Sequence, residues 1–414
     1  MWTPFVSPRF SVVLLALTLA ACGSSDPEVP GPSPDSGILV PDAGLEDSGV
    51  PDAGVPDAGP VDAGVPDSGT PDAGAPDAGP MLAIPTELSG FGLFTGSPAD
   101  GGWAPVEGNI PYTLSTALFS DYAVKSRTLY IPPGKTAHYQ PKDVLDLPVG
   151  TLITKTFAFP ADLRAPDQDV RLIETRVLVR QPTGWEAWPY VWNTEQTEAT
   201  QATGGRSRDV TFIDLEGQTR SFKYSVPSKN QCQQCHHLQD DTGAQVMHPI
   251  GVKARYLHHE NTYSAVARDQ LEYLASLGKL DGLPSLAELP RAPDAFDPQA
   301  ADLSTRARTY LDINCAHCHN PKGTAGITSR LFLNFDNPDL FTLGECKRPG
   351  SAGSGVGGEF DIVPGNHAES ILWYRLDTEE SGKMMPQIGR TVHHAEGSRL
   401  IADWIDSLPA KSCK

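Results

Sequence analysis

The chain has 414 residues, enough for two or three domains. Its formal net charge of -19, from 32 basic and 51 acidic residues, excludes the basic face that a nucleic-acid binder needs. Twelve of the acids lie between residues 26 and 80, which hold no Lys or Arg, so the remainder carries an ordinary -7.

The first predicted element is an export signal, residues 1–21. Arg9 supplies a positive n-region, and "FSVVLLALTLAAC" is an apolar run too short for a stable transmembrane helix. "LAAC", Leu19 to Cys22, resembles the bacterial lipobox. That resemblance implies cleavage before Cys22, a diacylglyceryl thioether on its sulfur, and a membrane anchor. A plain secretory signal with an incidental cysteine is the alternative. Gly23 and Ser24 follow instead of Asp, a context that in enterobacterial lipoproteins leads to the outer membrane. The expected location is the cell envelope, lipid-anchored at the outer membrane and facing the periplasm or the surface.

Residues 22–80 are read as a lipidated, disordered linker. "PDAGVPDAGPVDAGVPDSGTPDAGAPDAGP" repeats about every five residues and offers almost no apolar surface to offset the entropy of ordering. As a coil it would reach roughly 45 Å from a membrane.

Residues 81–228 are predicted β-rich. "TLITKTFAFP" and "VRLIETRVLVRQ" are dense in β-branched and aromatic residues, and "DVTFIDLEGQTRSFKYSV" reads as a hairpin turning near Glu216-Gly217. A sheet sandwich or open barrel fits.

The texture then becomes helical. "YSAVARDQLEYLASLGKL" places Val266, Leu271, Leu274 and Leu277 on one helical face, with Gly278 as a stop. "LSTRARTYLDINC" predicts a helix capped near Ser304, "SILWYRL" a short one, and "GSRLIADWIDSL" an amphipathic one carrying Leu400, Trp404 and Leu408. The expected architecture is multidomain: a disordered N-terminal tether, a β-rich sandwich-like domain, then a mainly α haem domain. Within the last part, residues 229–300 form a first haem-binding segment and 301–414 a domain with a second haem.

The haem expectation comes from two matching stretches. Cys232-Gln233-Gln234-Cys235-His236 and Cys315-Ala316-His317-Cys318-His319 are both C-x-x-C-H, the attachment signature for c-type haem. Two thiols three apart reach the two vinyl groups of one porphyrin, and the next residue supplies the proximal imidazole. Cys232, Cys235, Cys315 and Cys318 are therefore the expected covalent attachment points, and His236 and His319 the expected iron ligands of two covalently bound haem c groups. A zinc ribbon rarely places His directly after both cysteine pairs. A redox dithiol would open a helix in a βαβ unit, which the sequence lacks. Of the remaining histidines, His317 is expected to face outward, and His393-His394 to lie in a solvated loop.

For the first iron, Met247 is the leading candidate for the sixth ligand, with His248, His258 and His259 as alternatives and an open position as another. Cys346 and Cys413 can pair as a disulfide in an oxidising compartment, pinning the C-terminal helix to a loop; two unpaired cysteines are the alternative.

The order helix, C-x-x-C-H, loop, Met-Pro, amphipathic helix resembles a class I cytochrome c. By that resemblance His319 and Met385 are the axial pair of the second iron, with Met384 as runner-up. His/Met ligation raises the potential relative to His/His. "NIPYTLSTALFSDYAVKSRTLYIPPG", "GWEAWPYVWNTEQTEA", "VPSKNQCQQCHH", "RARTYLDINCAHCHNPKG" and "MMPQIG" together resemble an uncharacterised family of bacterial dihaem c-type cytochrome lipoproteins over roughly residues 85–410. One departure is "YLHHENTY", where an Asn-containing turn is expected in place of one His. The resemblance implies single-electron transfer between redox partner proteins in the cell envelope. Related β-region sequence stands beside quinoprotein sugar dehydrogenases, which makes a periplasmic dehydrogenase a candidate partner. The alternative is a dihaem cytochrome c peroxidase-like enzyme with an open sixth position at the first haem.

Overall fold

The computed structural model describes residues 80–350 and 355–414. The expected signal segment, Cys22 and the linker up to residue 79 lie outside them.

A strand-rich region comes first and helices follow. A two-stranded ribbon, β1 (Phe94–Thr95) and β2 (Ala104–Pro105), precedes the main sheet. That sheet is antiparallel and begins with β3 (Asn109–Pro111) and β4 (Val124–Tyr130). The chain leaves it for β5 (Ala137–His138). It returns with β6 (Leu152–Phe159), β7 (Arg171–Gln181), β8 (Gly184–Trp192) and β9 (Ala199–Gln201), in the order β3-β4-β6-β7-β8-β9. β-Branched and aromatic residues fill these strands because they pack well on a pleated surface.

One face of the sheet buries Val177, Val179, Tyr190 and Trp192 against Leu88 and Leu93 of the preceding segment. The other face is covered differently at its two ends. The hairpin β10 (Arg206–Ile213) and β11 (Thr219–Val226) closes over Phe157, Phe159, Ile173 and Val191. Its turn holds Gly217 at φ 80°, where a side chain is disfavoured. At the far end, Leu129, Ile131 and Ile153 pack against Leu257, Leu271 and Leu274. The expected sandwich of two sheets is thus a single six-stranded sheet with a hairpin and helices as its second layer.

Residues 229–300 mix both textures. They contain α1 (Lys229–His236), β12 (His237–Gln239), β13 (Gln245–Met247), α2 (Ala254–Leu257), β14 (Glu260–Tyr263), β15 (Val266–Asp269), α3 (Gln270–Ser276) and β16 (Leu280–Asp281), the last pairing with β5. The long helix expected from Val266 is cut short. Ser264 and Ala265 turn with positive φ, so Val266 enters a hairpin and is exposed. The helix starts only at Gln270, because the Asp269 side chain accepts from the Leu271 and Glu272 amides. Leu271 and Leu274 are buried as expected, and Leu277 is exposed.

The rest is helical: α4 (Leu303–Asn314), α5 (Thr324–Ser329), α6 (Leu340–Leu343), α7 (Ile371–Asp377) and α8 (Ala395–Ser407). The cap of α4 is Asp302, not Ser304; its carboxylate accepts from the Thr305 amide at 2.9 Å. Tyr310 and Leu311 of α4 pack against Leu400, Ile401, Trp404 and Ile405 of α8. The helices meet where Gly397 faces the Tyr310 hydroxyl so closely that there is no room for a Cβ. Cys346 and Cys413 are joined by a disulfide. Among the described residues no helix is long and apolar enough to cross a membrane.

Candidate cofactor site

The first motif sits on α1, and a capping box fixes where that helix begins. Ser228 Oγ accepts from the Gln231 amide at 3.2 Å, and the Gln231 side chain accepts from the Ser228 amide at 2.9 Å. Cys232 and Cys235, three apart, therefore share one helical face. Cys232 is buried and Cys235 half-buried.

His236 ends the helix, and its ring is already oriented. Its Nδ1 lies 2.8 Å from the His248 carbonyl. A carbonyl can only accept, so Nδ1 carries the proton and Nε2 keeps its lone pair for a metal. Burial holds the imidazole at about 4, which keeps it neutral and ligand-competent near pH 7.

The second motif follows α4 directly. Cys315 caps the helix, and the amides of Cys318 and His319 donate to its carbonyl at 3.1 and 2.8 Å. Asn320 closes the turn by donating to the Ala316 carbonyl at 2.7 Å. Burial pushes the Cys315 thiol up to about 12 and the His319 imidazole down to about 4. His319 Nδ1 is buried without a hydrogen-bond partner.

A cavity of about 550 Å³ opens beside this motif. Cys315, Cys318 and His319 line one part of it, Met385 another, and Leu331, Leu372 and Leu376 give it apolar walls. The volume lies within the range of cofactor pockets, roughly 300–1,000 Å³. Met385, rather than Met384, is the methionine that lines it. The Met385 amide donates to the Arg375 carbonyl at 2.8 Å, fastening the Met-Pro segment to α7. Cys235 and His317 line the same cavity, so it holds three thiols, two imidazoles and a thioether; among them Cys315, Cys318, His319 and Met385 are a donor set that fits a covalently held haem.

At the first motif the expected candidates for a sixth ligand have the following surroundings. Met247 pairs with His237 across the β12–β13 hairpin and adjoins the carbonyl that holds His236 Nδ1. His248 Nε2 contacts Asp143 at 3.0 Å, His258 Nε2 lies 3.9 Å from Asp269, and His259 Nε2 contacts the Thr113 hydroxyl at 2.9 Å.

Two histidines depart from their expected places. His317 does not face outward: its Nδ1 is buried, and the ring joins Cys235 and Cys318 in a group whose ligand atoms all lie within 4.8 Å of one another. The thiol contact with Cys318 pulls Cys235 well down, and the same contact pushes Cys318 up. His394 does not sit in solvent either. It stacks on Phe119, with ring centroids 4.1 Å apart, and its Nδ1 contacts the Tyr310 hydroxyl at 3.1 Å.

The two motifs are thus neighbours. Cys318 Sγ also reaches the Gln234 carbonyl at 3.4 Å. The backbone joins them through the Gln239 amide, which donates to the Lys322 carbonyl at 2.8 Å, and a bridge between Leu238 and Gly323. This juxtaposition has no signal in the linear sequence, where the motifs stand far apart. No family model matches the chain, and no curated protein or solved structure matches it.

Proposed function

We propose that the chain is a dihaem c-type cytochrome that carries single electrons in the cell envelope, anchored through Cys22. The observation that carries this reading is the cavity that gathers Cys315, Cys318 and His319 with Met385. The fixed tautomer of His236 supports the same assignment at the first motif. Cys232 and Cys235 would hold one haem and Cys315 and Cys318 the other, with His236 and His319 as proximal ligands and Met385 as the second axial ligand of the latter. Haem c, when bound, supplies a one-electron couple at each site. The chain's own part is to keep both imidazoles neutral, exclude water with Leu331, Leu372 and Leu376, and hold the motifs side by side. Redox partner proteins, such as a periplasmic dehydrogenase, would exchange electrons with it.

The test is a pyridine haemochrome assay on protein matured with cytochrome c assembly factors. Two haems per chain, reversibly reduced by dithionite, are expected. A haem-free protein with stoichiometric zinc would overturn the reading and assign Cys235, His317 and Cys318 to a structural metal.

A second reading has one observation in its favour. His248 and His259 are held in hydrogen bonds to Asp143 and Thr113, which leaves Met247 and His258 as the candidates not already engaged at the first site. An exchangeable sixth position at the first haem would suit a peroxidase-like enzyme. A high-spin component in the oxidised spectrum together with peroxide turnover would select it.

A further inference from the structure

A row of basic side chains crosses the main sheet between its two apolar clusters. Arg127 on β4 is directly opposite Lys155 on β6, which is directly opposite Arg176 on β7. Two residues along, Lys125 faces Phe157, and Phe157 faces Glu174. The two-residue period of a strand puts all six on one face. Like charges directly opposite destabilise a sheet, so three cations abreast are not explained by folding.

The protein supplies too little negative charge to balance them. Glu174 is fully committed: Arg176 donates to both of its oxygens at 2.6 and 2.8 Å, and the Tyr224 hydroxyl donates at 2.6 Å. Among the described residues no carboxylate forms an ion pair with Lys125, Arg127 or Lys155. Arg127 is only 7% exposed, and its Nη2 is buried without a hydrogen bond. Lys125 donates to the Ala123 carbonyl at 2.7 Å, and Lys155 and Lys125 lie 4.9 and 6.0 Å from the Phe157 ring centroid. Burial, with Arg127 adding repulsion, pulls the Lys125 ammonium down to about 7. The row lies beside the first motif: α1 packs against β8, whose Pro189 stands directly opposite Arg176 of the row.

We propose that Lys125, Arg127 and Lys155 form a carboxylate-binding site whose occupant is the pair of propionates of the haem held by Cys232, Cys235 and His236. This inference rests on the dihaem reading and gives the sheet a function within it. The sheet is the charge-compensating floor of the first haem pocket, not a separate docking module. Arg176 is not part of the site because Glu174 already neutralises it.

The experiment is a spectroelectrochemical titration of the matured full chain and of Lys155→Met, Arg127→Gln and Lys155→Arg. Loss of a cation beside a propionate leaves its negative charge uncompensated and favours ferric iron. In the first two variants one of the two potentials should fall by about tenfold in the reduction equilibrium, roughly 59 mV for one electron. The other potential and the two haems per chain should persist, and Lys155→Arg should keep both potentials. Lys125→Met, at a half-buried position toward the end of the row, is expected to show a smaller fall and serves if the other variants do not fold. A wild-type chain without haem sinks the dihaem reading itself. Two haems with potentials unmoved in every folded charge-removing variant overturn the propionate site alone. Potentials that depend on added citrate would assign the row to a free carboxylate and also overturn it.

Discussion

Cys235 of the first motif lies against Cys318 of the second, and His317 completes a triangle of ligand atoms all within 4.8 Å of one another. If each cysteine carries a thioether, the edges of the two groups attached there are neighbours. Charge added at one site is then felt at the other with little screening. The two couples should titrate as an interacting pair, spread over a wider range than one single-electron couple. In Cys232→Ser/Cys235→Ser, which removes the first attachment, the remaining haem should follow a simple single-electron curve. Two independent, unspread couples in the parent protein would count against the contact.

Met385 should control the spectrum and potential of the second site. Met385→Ala removes a thioether that favours reduced iron, so the potential falls and the far-red methionine-to-iron band of the oxidised protein disappears. Met384→Ala should leave both unchanged, because Met385 is the methionine that lines the cavity. Absorption spectra of the two oxidised variants check this.

The helix crossing should be sensitive to one methyl group. A Cβ at Gly397 would run into the Tyr310 hydroxyl and ring, with the His394 ring close by. Gly397→Ala is expected to cost roughly 1–3 kcal/mol from overpacking, measured by denaturant unfolding of the matured protein. Trp404→Ala, at a position 2% exposed in the same core, should cost roughly 3–5 kcal/mol.

The Cys346–Cys413 disulfide closes a loop with a sequence separation of 67. The loop-entropy account puts its worth at roughly 4 kcal/mol, the upper end of what removal should cost. Cys413→Ser is expected to lower the melting temperature while haem content stays at two per chain.

Acid stability should depend on His394. Burial lowers its imidazole to about 3, and Lys125 adds repulsion. The unfolded chain binds a proton at this residue below about 6.5 while the folded chain does not. Its contribution to stability is therefore complete above pH 6.5 and is lost as pH falls from there toward 3. The slope is about 1.4 kcal/mol per pH unit for one proton. His394→Phe, which keeps a ring over Phe119, should flatten the melting-temperature profile across that window.

The parts of this molecule that were legible in the sequence are those whose signal is local. The Leu400–Trp404 face of α8 and the Glu216-Gly217 turn each depend on spacing within one element. The Val266 segment misled because apolar residues at helical spacing also fit a strand followed by a short helix, and the positive-φ turn at Ser264-Ala265 decided between them. His317 was misplaced because its environment is the other motif, which no local pattern reveals. The basic row was invisible for the same reason: each strand contributes one or two cations, and only cross-strand register aligns them. A hint was present, since Lys155 and Arg176 interrupt "LITKTF" and "LIETRVLV" where a buried strand calls for apolar residues.

The link between Gln239 and Lys322 has an evolutionary consequence. Both bonding groups are backbone, an amide and a carbonyl, so the separation of the two motifs does not depend on which side chains occupy those positions. Drift at positions 239 and 322 leaves the distance between the motifs intact. The long connection between them can gain or lose residues without retuning that distance. Selection on the spacing would then act on chain geometry here, and selection on the chemistry of each site would act separately, on the side chains around each motif.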